Sequence, residues 1–367
     1  MGRSRTQLII GISFVGLMCV TSVQFVMATK QPVITNFDIA GAGTESGQGT
    51  GATQINSAGV VTGSYIDSNN VSHGFVRTTD GTVTTFDVSE AGTQAGQGTA
   101  PITINTKGVV AGYYLDSNFV YHGFSRSTTG AITTFDPTGV GTQAYEGTIT
   151  IDVNSAGYIT GYYIDDNYVG HGFVRNSKGA ITTFDAPNVG PNGTYPFGIN
   201  SAGVISGNYW DDSNVIHGFV RSKSGTITSF DEPDAGTGRG QGTVANFINT
   251  SGEIQGRYID GSGLAHGFLR SADGSAFVSY DAPGAGSSVF SYCINNGGQE
   301  SGFYTDANNV NHGFLFLPSG TVTSFDDPDA GTQSGQGTFG FGINNAGEIS
   351  GSYTDANGVN HGFIRSK

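Results

Sequence analysis

All seven histidines of this 367-residue chain fall in one tripeptide, His-Gly-Phe, at His73, His122, His171, His217, His266, His312 and His361. Each follows an aspartate by a few residues: Asp67, Asp116, Asp165, Asp211, Asp260, Asp306 and Asp355. A second aspartate ends the next short apolar segment, at Asp87, Asp136, Asp185, Asp231, Asp281 and Asp326, and an unmatched copy, Asp38, stands near the start. Imidazole beside carboxylate is the equipment of proton transfer and of metal binding. Catalysis, however, needs one constellation, and a residue present in every copy is explained by what every copy shares. These positions therefore read as structural clamps, with aspartate accepting from turn amides or from the imidazole.

Function should sit where single copies leave the pattern. Phe119, Tyr121, Tyr168 and Trp210, the only tryptophan, cluster in the second to fourth copies, at positions where the first and the last two carry Asn, Gly or Ser. Tyr145, Glu146 and Tyr195 lie in the connections entering the third and fourth copies, and Asp166 and Asp212 add carboxylates. Aromatic faces beside carboxylates and amides suit stacking and hydrogen bonding to a sugar or another polar ligand. The expected function is a non-catalytic binding or interaction module for an extracellular glycan or protein, and no catalytic residue is assigned. The alternative is a hydrolase or lyase on the same face using Glu146, one of the Asp residues of the second to fourth copies and a neighbouring His, which a cluster of Glu146, Asp165 and His171 around a pocket would favour, and a purely structural surface-layer role comes third.

Local motifs add little. The mature chain has no His-Glu-x-x-His, Cys-x-x-Cys, Walker loop or Gly-x-Ser-x-Gly elbow. Gly236 to Gly242 resembles a nucleotide-binding glycine run, but it leads into a strand, where no helix N-terminus could hold a phosphate. The Asp-x-Asn turns, such as Asp67-Ser68-Asn69, open like a calcium loop and lack its bidentate Glu. Calcium could bind there or in the acidic connections, but no cofactor or metal ligand is assigned.

The elements that must position these residues recur with them. Each copy runs through four short segments, a to d. Segment a ends in Ile-Asn, and Asn-x-x-Gly closes a turn, as at Asn344 to Gly347. Segment b contains Gly-x-Tyr-x-Asp, segment c is His-Gly-Phe-x-Arg with Phe316 the one exception, and segment d ends in Phe-Asp with Tyr280 substituting once. Four such strands make one antiparallel sheet of propeller-blade size. The last copy stops after its c segment, whereas Val33 to Asp38 is a d segment with nothing before it. The expectation is an all-β, seven-bladed β-propeller over residues 29–367, with four-stranded antiparallel blades and residues 33–38 completing the last one. The second choice is a right-handed β-solenoid. Following the chain through a blade puts the b–c hairpins and d–a connections on one face, the top.

With Ile-Asn-x-x-Gly in every copy but the third, where Val153 precedes Asn154, and with Gly-x-Tyr-x-Asp and His-Gly-Phe in all seven, the chain resembles the HAF-type extracellular repeat proteins of bacteria, here in a His-Gly-Phe variant. The resemblance covers the whole mature chain. It implies secretion and a repeat fold, and it implies no mechanism.

Arg3 and Arg5 precede an apolar run from Leu8 to about Met27, closed by Ala28, the order of a secretory signal peptide over residues 1–28. The run is also long enough for an uncleaved anchor. A secreted or periplasmic protein is expected, with no further membrane contact. Its mature chain carries 13 basic against 29 acidic residues, a charge that repels nucleic acid and anionic membranes. Loss of Cys19 leaves Cys293 as the only thiol, so no intramolecular disulfide can form, and the core must hold the fold. A monomer is expected, with Cys293 a small buried residue of an inner strand.

Overall fold

The computed structural model describes residues 31–367, and the leader expected over residues 1–28 lies outside them. The described residues form strands joined by turns, with no helix among them. The first unit shows the pattern: strand a is Gly49–Ile55, b is Val61–Ile66, c is Ser72–Arg77 and d is Val83–Phe86. They pair antiparallel in that order. Ile34–Phe37 pairs antiparallel with Asn360–Arg365, Ile34 opposite Arg365 and Phe37 opposite Gly362. A parallel contact between Gly49 and Asn360 joins the a strand of the first unit to the same late strand. The fold is an all-β propeller.

Two side-chain series hold neighbouring units together. The seven His-Gly-Phe phenylalanines, Phe75, Phe124, Phe173, Phe219, Phe268, Phe314 and Phe363, are completely buried. Each contributes about 2–3 kcal/mol of apolar burial. Most meet the d-strand ring of the preceding unit edge to face, as Phe86 meets Phe124 with centroids 6.1 Å apart. The glycine before each Phe makes room for a d-strand ring, but that ring belongs to its own unit. A Cβ on Gly74 would sit 2.8 Å from Phe86, its cross-strand partner, and as close to Pro101 of the next unit.

The arginine after the Phe reads from sequence as a salt bridge or turn clamp on the lower face. It lies instead over the d-strand ring of the preceding unit: Arg126 over Phe86, Arg175 over Phe135 and Arg365 over Phe325, each 4.8 Å from the centroid. Among the described residues every ion pair involves a histidine, so these arginines act as cations on aromatic faces.

The junction of units 5 and 6 breaks both series at once. Phe316 replaces the arginine and stacks on Tyr280, which replaces the d-strand phenylalanine, with centroids 4.2 Å apart. Glu300, fully buried, occupies the place held by Val61, Val110, Ile159, Ile205, Ile254 and Ile349 in the other b strands. Its Oε2 accepts from the Tyr280 hydroxyl at 2.6 Å and the Ser291 hydroxyl at 2.7 Å, while Oε1 has no partner among the described residues. Burial pushes this carboxyl up to about 8.

The inner strands meet around a central cavity of about 190 Å³ lined by residues of every a strand. Its floor is a circuit of amides. Asn56 Nδ2 donates to the carbonyl of Asn105, Asn105 to Asn154, Asn154 to Asn200, Asn200 to Asn249, Asn249 to Asn295, Asn295 to Asn344, and Asn344 back to Asn56, at 2.9–3.3 Å. Each Oδ1 also closes its own turn, as Asn154 does by accepting from the Ala156 and Tyr158 amides.

Candidate functional site

The repeated top-face groups form one column per unit. His73 stacks on Tyr65 with centroids 4.9 Å apart, and its Nδ1 sits 3.0 Å from Asp87. Its Nε2 faces Asp67 at 3.6 Å. Asp67 Oδ1 meanwhile accepts from the amides of Asn69 and Val71, and Oδ2 accepts from the Asn69 side chain. The other six columns repeat this within a few tenths of an ångström, down to His361 between Asp355 and Asp38. Turn donors and the histidine occupy the carboxylate, so each aspartate is engaged in shaping the b–c hairpin. The amides hold Asp67, Asp116, Asp165 and Asp355 below the ordinary carboxylate range against the opposing pull of burial. A bond to Asp136 raises His122. At His266 burial pulls the other way, and the Asp281 bond still raises it.

Of the singular residues, the structure brings some together and separates others. Phe119 and Tyr145 meet with ring centroids 5.8 Å apart, and the Tyr145 amide donates to the Phe119 carbonyl. Tyr121 packs edge-on against Tyr113 at 5.3 Å, and Tyr195 against Tyr162 at 4.9 Å. Tyr195 also donates its hydroxyl to the Asn192 carbonyl. Tyr162 feels Tyr195, Tyr113 and Tyr121, and with burial, the larger effect, its phenol lies well above the ordinary range. Sequence reasoning missed Tyr113 and Tyr162. Their signal is the variable residue of Gly-x-Tyr, which is Ser64, Tyr113, Tyr162, Asn208, Arg257, Phe303 or Ser352.

Tyr168 stands alone and is 60% exposed, as is Tyr145. Trp210 is half-buried as the last residue of the b strand Ile205–Trp210, not at a hairpin tip. Asp166 and Asp212 are exposed on the turns beside them. Glu146 is completely buried; its Oε2 accepts from the Gln143 amide, and among the described residues it makes no hydrogen bond or ion pair with Asp165 or His171. It occupies the place of Gln48 and Gln97, whose side chains accept in the same way from Glu45 and Gln94.

The backbone under three of these rings is unusual. Phe119, Tyr145 and Tyr168 have φ of 64°, 68° and 61°, the left-handed region. The b–c tips of other units carry Asn70, Asn214, Asn309 or Gly358 in that conformation, and the loop position of Tyr145 carries Gly47, Gly96, Gly240 or Gly335. An aromatic residue there costs about 1–2 kcal/mol that glycine avoids.

The cavity holds one ionisable group that sequence reasoning passed over. A register shift in each a strand, such as that between Thr150 and Asp152, turns the next side chain inward. Asp152 accepts from the amides of Val153 and Ile199 and from the Thr103 hydroxyl, and burial still raises its carboxyl to about 6. Cys293, also buried, lies 3.5 Å from the Gln54 side chain, and burial pushes its thiol up.

No family model matches the chain, and no curated protein matches it. Among solved structures, the β-propeller domain of the Trilobed protease from Pyrococcus furiosus, described as having an open velcro topology, is 9% identical. It aligns over 86% of this chain and 95% of its own with a TM-score of 0.53. The protein AofleA from Arthrobotrys oligospora is 12% identical over 80% of this chain and 90% of its own, TM-score 0.47. The six-bladed fungal lectin of Aleuria aurantia is 12% identical over 74% and 94%, TM-score 0.44. At such identities the likeness is one of fold, and the fold is that of a β-propeller.

Proposed function

We propose that the chain is an exported, HAF-type seven-bladed β-propeller of four-stranded blades that binds an extracellular glycan on the top face of units 2 to 4 and catalyses no reaction. Seven repeats and an amide circuit that returns to its start support the blade count. The pairing of Ile34–Phe37 with Asn360–Arg365 supports closure by the N-terminal strand. Arg3, Arg5 and the apolar run behind them support export.

The observation that carries the ligand reading is the strain at Phe119, Tyr145 and Tyr168. Three aromatic side chains occupy left-handed positions that other units fill with glycine or asparagine, and two of them are mostly exposed. Packing does not repay an exposed ring for its backbone, whereas contact with a ligand does. Asp166 and Asp212 supply acceptors for sugar hydroxyls nearby, with Trp210, Tyr121 and Tyr195 as the half-buried support.

The test is a glycan array probed with the mature wild type and with Phe119→Asn/Tyr145→Gly/Tyr168→Asn. The variant should melt at an equal or higher temperature and bind the array glycans clearly more weakly than the wild type does. Equal binding by both proteins defeats the reading, and so does a wild type that binds nothing.

A further inference from the structure

The a and b strands of each unit pair so that one residue of Gly-x-Tyr faces one of strand a. The pairs are Gly51 with Ser64, Ala100 with Tyr113, Ile149 with Tyr162, Tyr195 with Asn208, Val244 with Arg257, Phe290 with Phe303, and Phe339 with Ser352. Every pair but the first includes a bulky side chain. Between units these side chains reach across: Tyr162 meets Tyr195 and Phe303 meets Phe339, each at 4.9 Å, and Arg257 lies 4.8 Å over Phe290. Where the seventh unit meets the first, only Ser352 and Gly51 are available, and a cleft of about 310 Å³ opens there.

We infer that this cleft is a second binding site, and that it takes one uncharged pyranose ring of a glycan. Its size is at the lower end of ligand pockets, which start at about 300 Å³ and suit a single ring there. Phe339 and Phe341 form one wall, and Phe303 packs against Phe339 at 73° and fixes it. The Ser352 residue is only 8% exposed, yet its hydroxyl, lining the cleft, has no hydrogen-bond partner among the described residues. The Ser64 hydroxyl, also in the lining, likewise has no hydrogen-bond partner among the described residues. Thr354 and Asn360 are already bound to each other, and Asn360 to the Gln48 carbonyl, so that edge is rigid. Among the described residues no charged side chain lines the cleft. Flat apolar rings facing unpaired hydroxyls match a sugar, whose ring faces are C–H and whose rim is O–H. The ligand class rests on the glycan reading above, but the site shares no residue with the rim of units 2 to 4.

A Cβ on Gly51 would meet nothing closer than 3.7 Å, and the same place in the third unit holds Ile149. Gly51→Ile should therefore fold normally and fill the cleft. The probes are the methyl α-glycosides of galactose, mannose, fucose and N-acetylglucosamine, titrated by calorimetry and saturation-transfer NMR into the mature protein. The wild type should bind at least one of them. Gly51→Ile should weaken that binding tenfold or more, Ser352→Ala should weaken it with unchanged melting, and Phe119→Asn/Tyr145→Gly/Tyr168→Asn should bind as the wild type does. Undiminished binding by Gly51→Ile overturns the inference. So does a wild type that binds array glycans through the rim but none of the four glycosides, and in that case the rim reading stands. Loss in Gly51→Ile with array binding intact in the rim variant supports the cleft and removes the rim.

Discussion

Replacing Glu300 with glutamine should remove a large part of the protein's loss of stability in mildly alkaline solution. The carboxyl rises from an ordinary 4.5 to about 8 in the folded chain because burial disfavours its charge. A carboxyl raised on folding contributes fully below its unfolded value, and that contribution is lost as pH climbs through the folded value. Each pH unit between the two values costs about 1.4 kcal/mol, so the step from pH 6 to pH 9 removes about 3 kcal/mol. Urea unfolding of wild type and Glu300→Gln at pH 6, 7, 8 and 9 reads this as the difference between the two curves, which cancels every other titrating group. The gap should grow by about 3 kcal/mol and level off above pH 8. Parallel curves would show that the Glu300 carboxyl is not held neutral, and the account of its pocket would be wrong. Glu300→Ile with Tyr280→Phe copies the consensus of neighbouring units and removes the carboxyl together with its tyrosine partner. Both variants free the Ser291 hydroxyl, but this double variant should still exceed the wild type in stability at pH 9, whereas Glu300→Ile alone also leaves the Tyr280 hydroxyl buried without an acceptor, at a further cost of about 1–3 kcal/mol.

Three further outcomes follow from the packing. Asn154→Ala removes one bond to the next unit and two turn bonds, and should cost about 3 kcal/mol by urea unfolding; a loss below 1 kcal/mol would deny the amide circuit a structural role. Gly123→Ala places a Cβ 2.7 Å from Phe135, and should lower the melting temperature by several degrees, whereas Gly51→Ala, with open space, should not. His122 is raised by its bond to Asp136, so its share of stability is present below its unfolded value and fades as pH rises past the folded one. Imidazole titration by NMR should place it above the ordinary 6.5 and return it toward that value in Asp136→Asn.

The parts of the molecule that repeat were readable from their spacing, because every copy states the same contact seven times. Buried phenylalanines between units and aspartates at the hairpins both follow from that. What spacing could not supply is which neighbour a side chain meets. Gly74 accommodates the ring of its own unit, and Arg126 reaches back onto Phe86 of the unit before. Tyr280 and Phe316 each stand out in the sequence as exceptions, but only the fold stacks them on one another and places Glu300 against the tyrosine. The patch residues were found as departures from consensus. Their backbone strain was also within reach, because Phe119 and Tyr168 align with asparagine or glycine. Asp152 and the Ser352 cleft stayed hidden, since a bulge decides which a-strand residue turns inward, and a gap is visible only when the side chains around it have positions.

A tandem array laid out in a line frays from its outermost members, which have one neighbour each. The asparagine circuit has no outermost member: every amide both gives and receives, and Asn344 hands on to Asn56 as it would to any successor. Peeling any unit away must break two links together. A protease working on the folded protein should therefore find no ragged margin to nibble, and partial digests should contain intact chain and small fragments with little between.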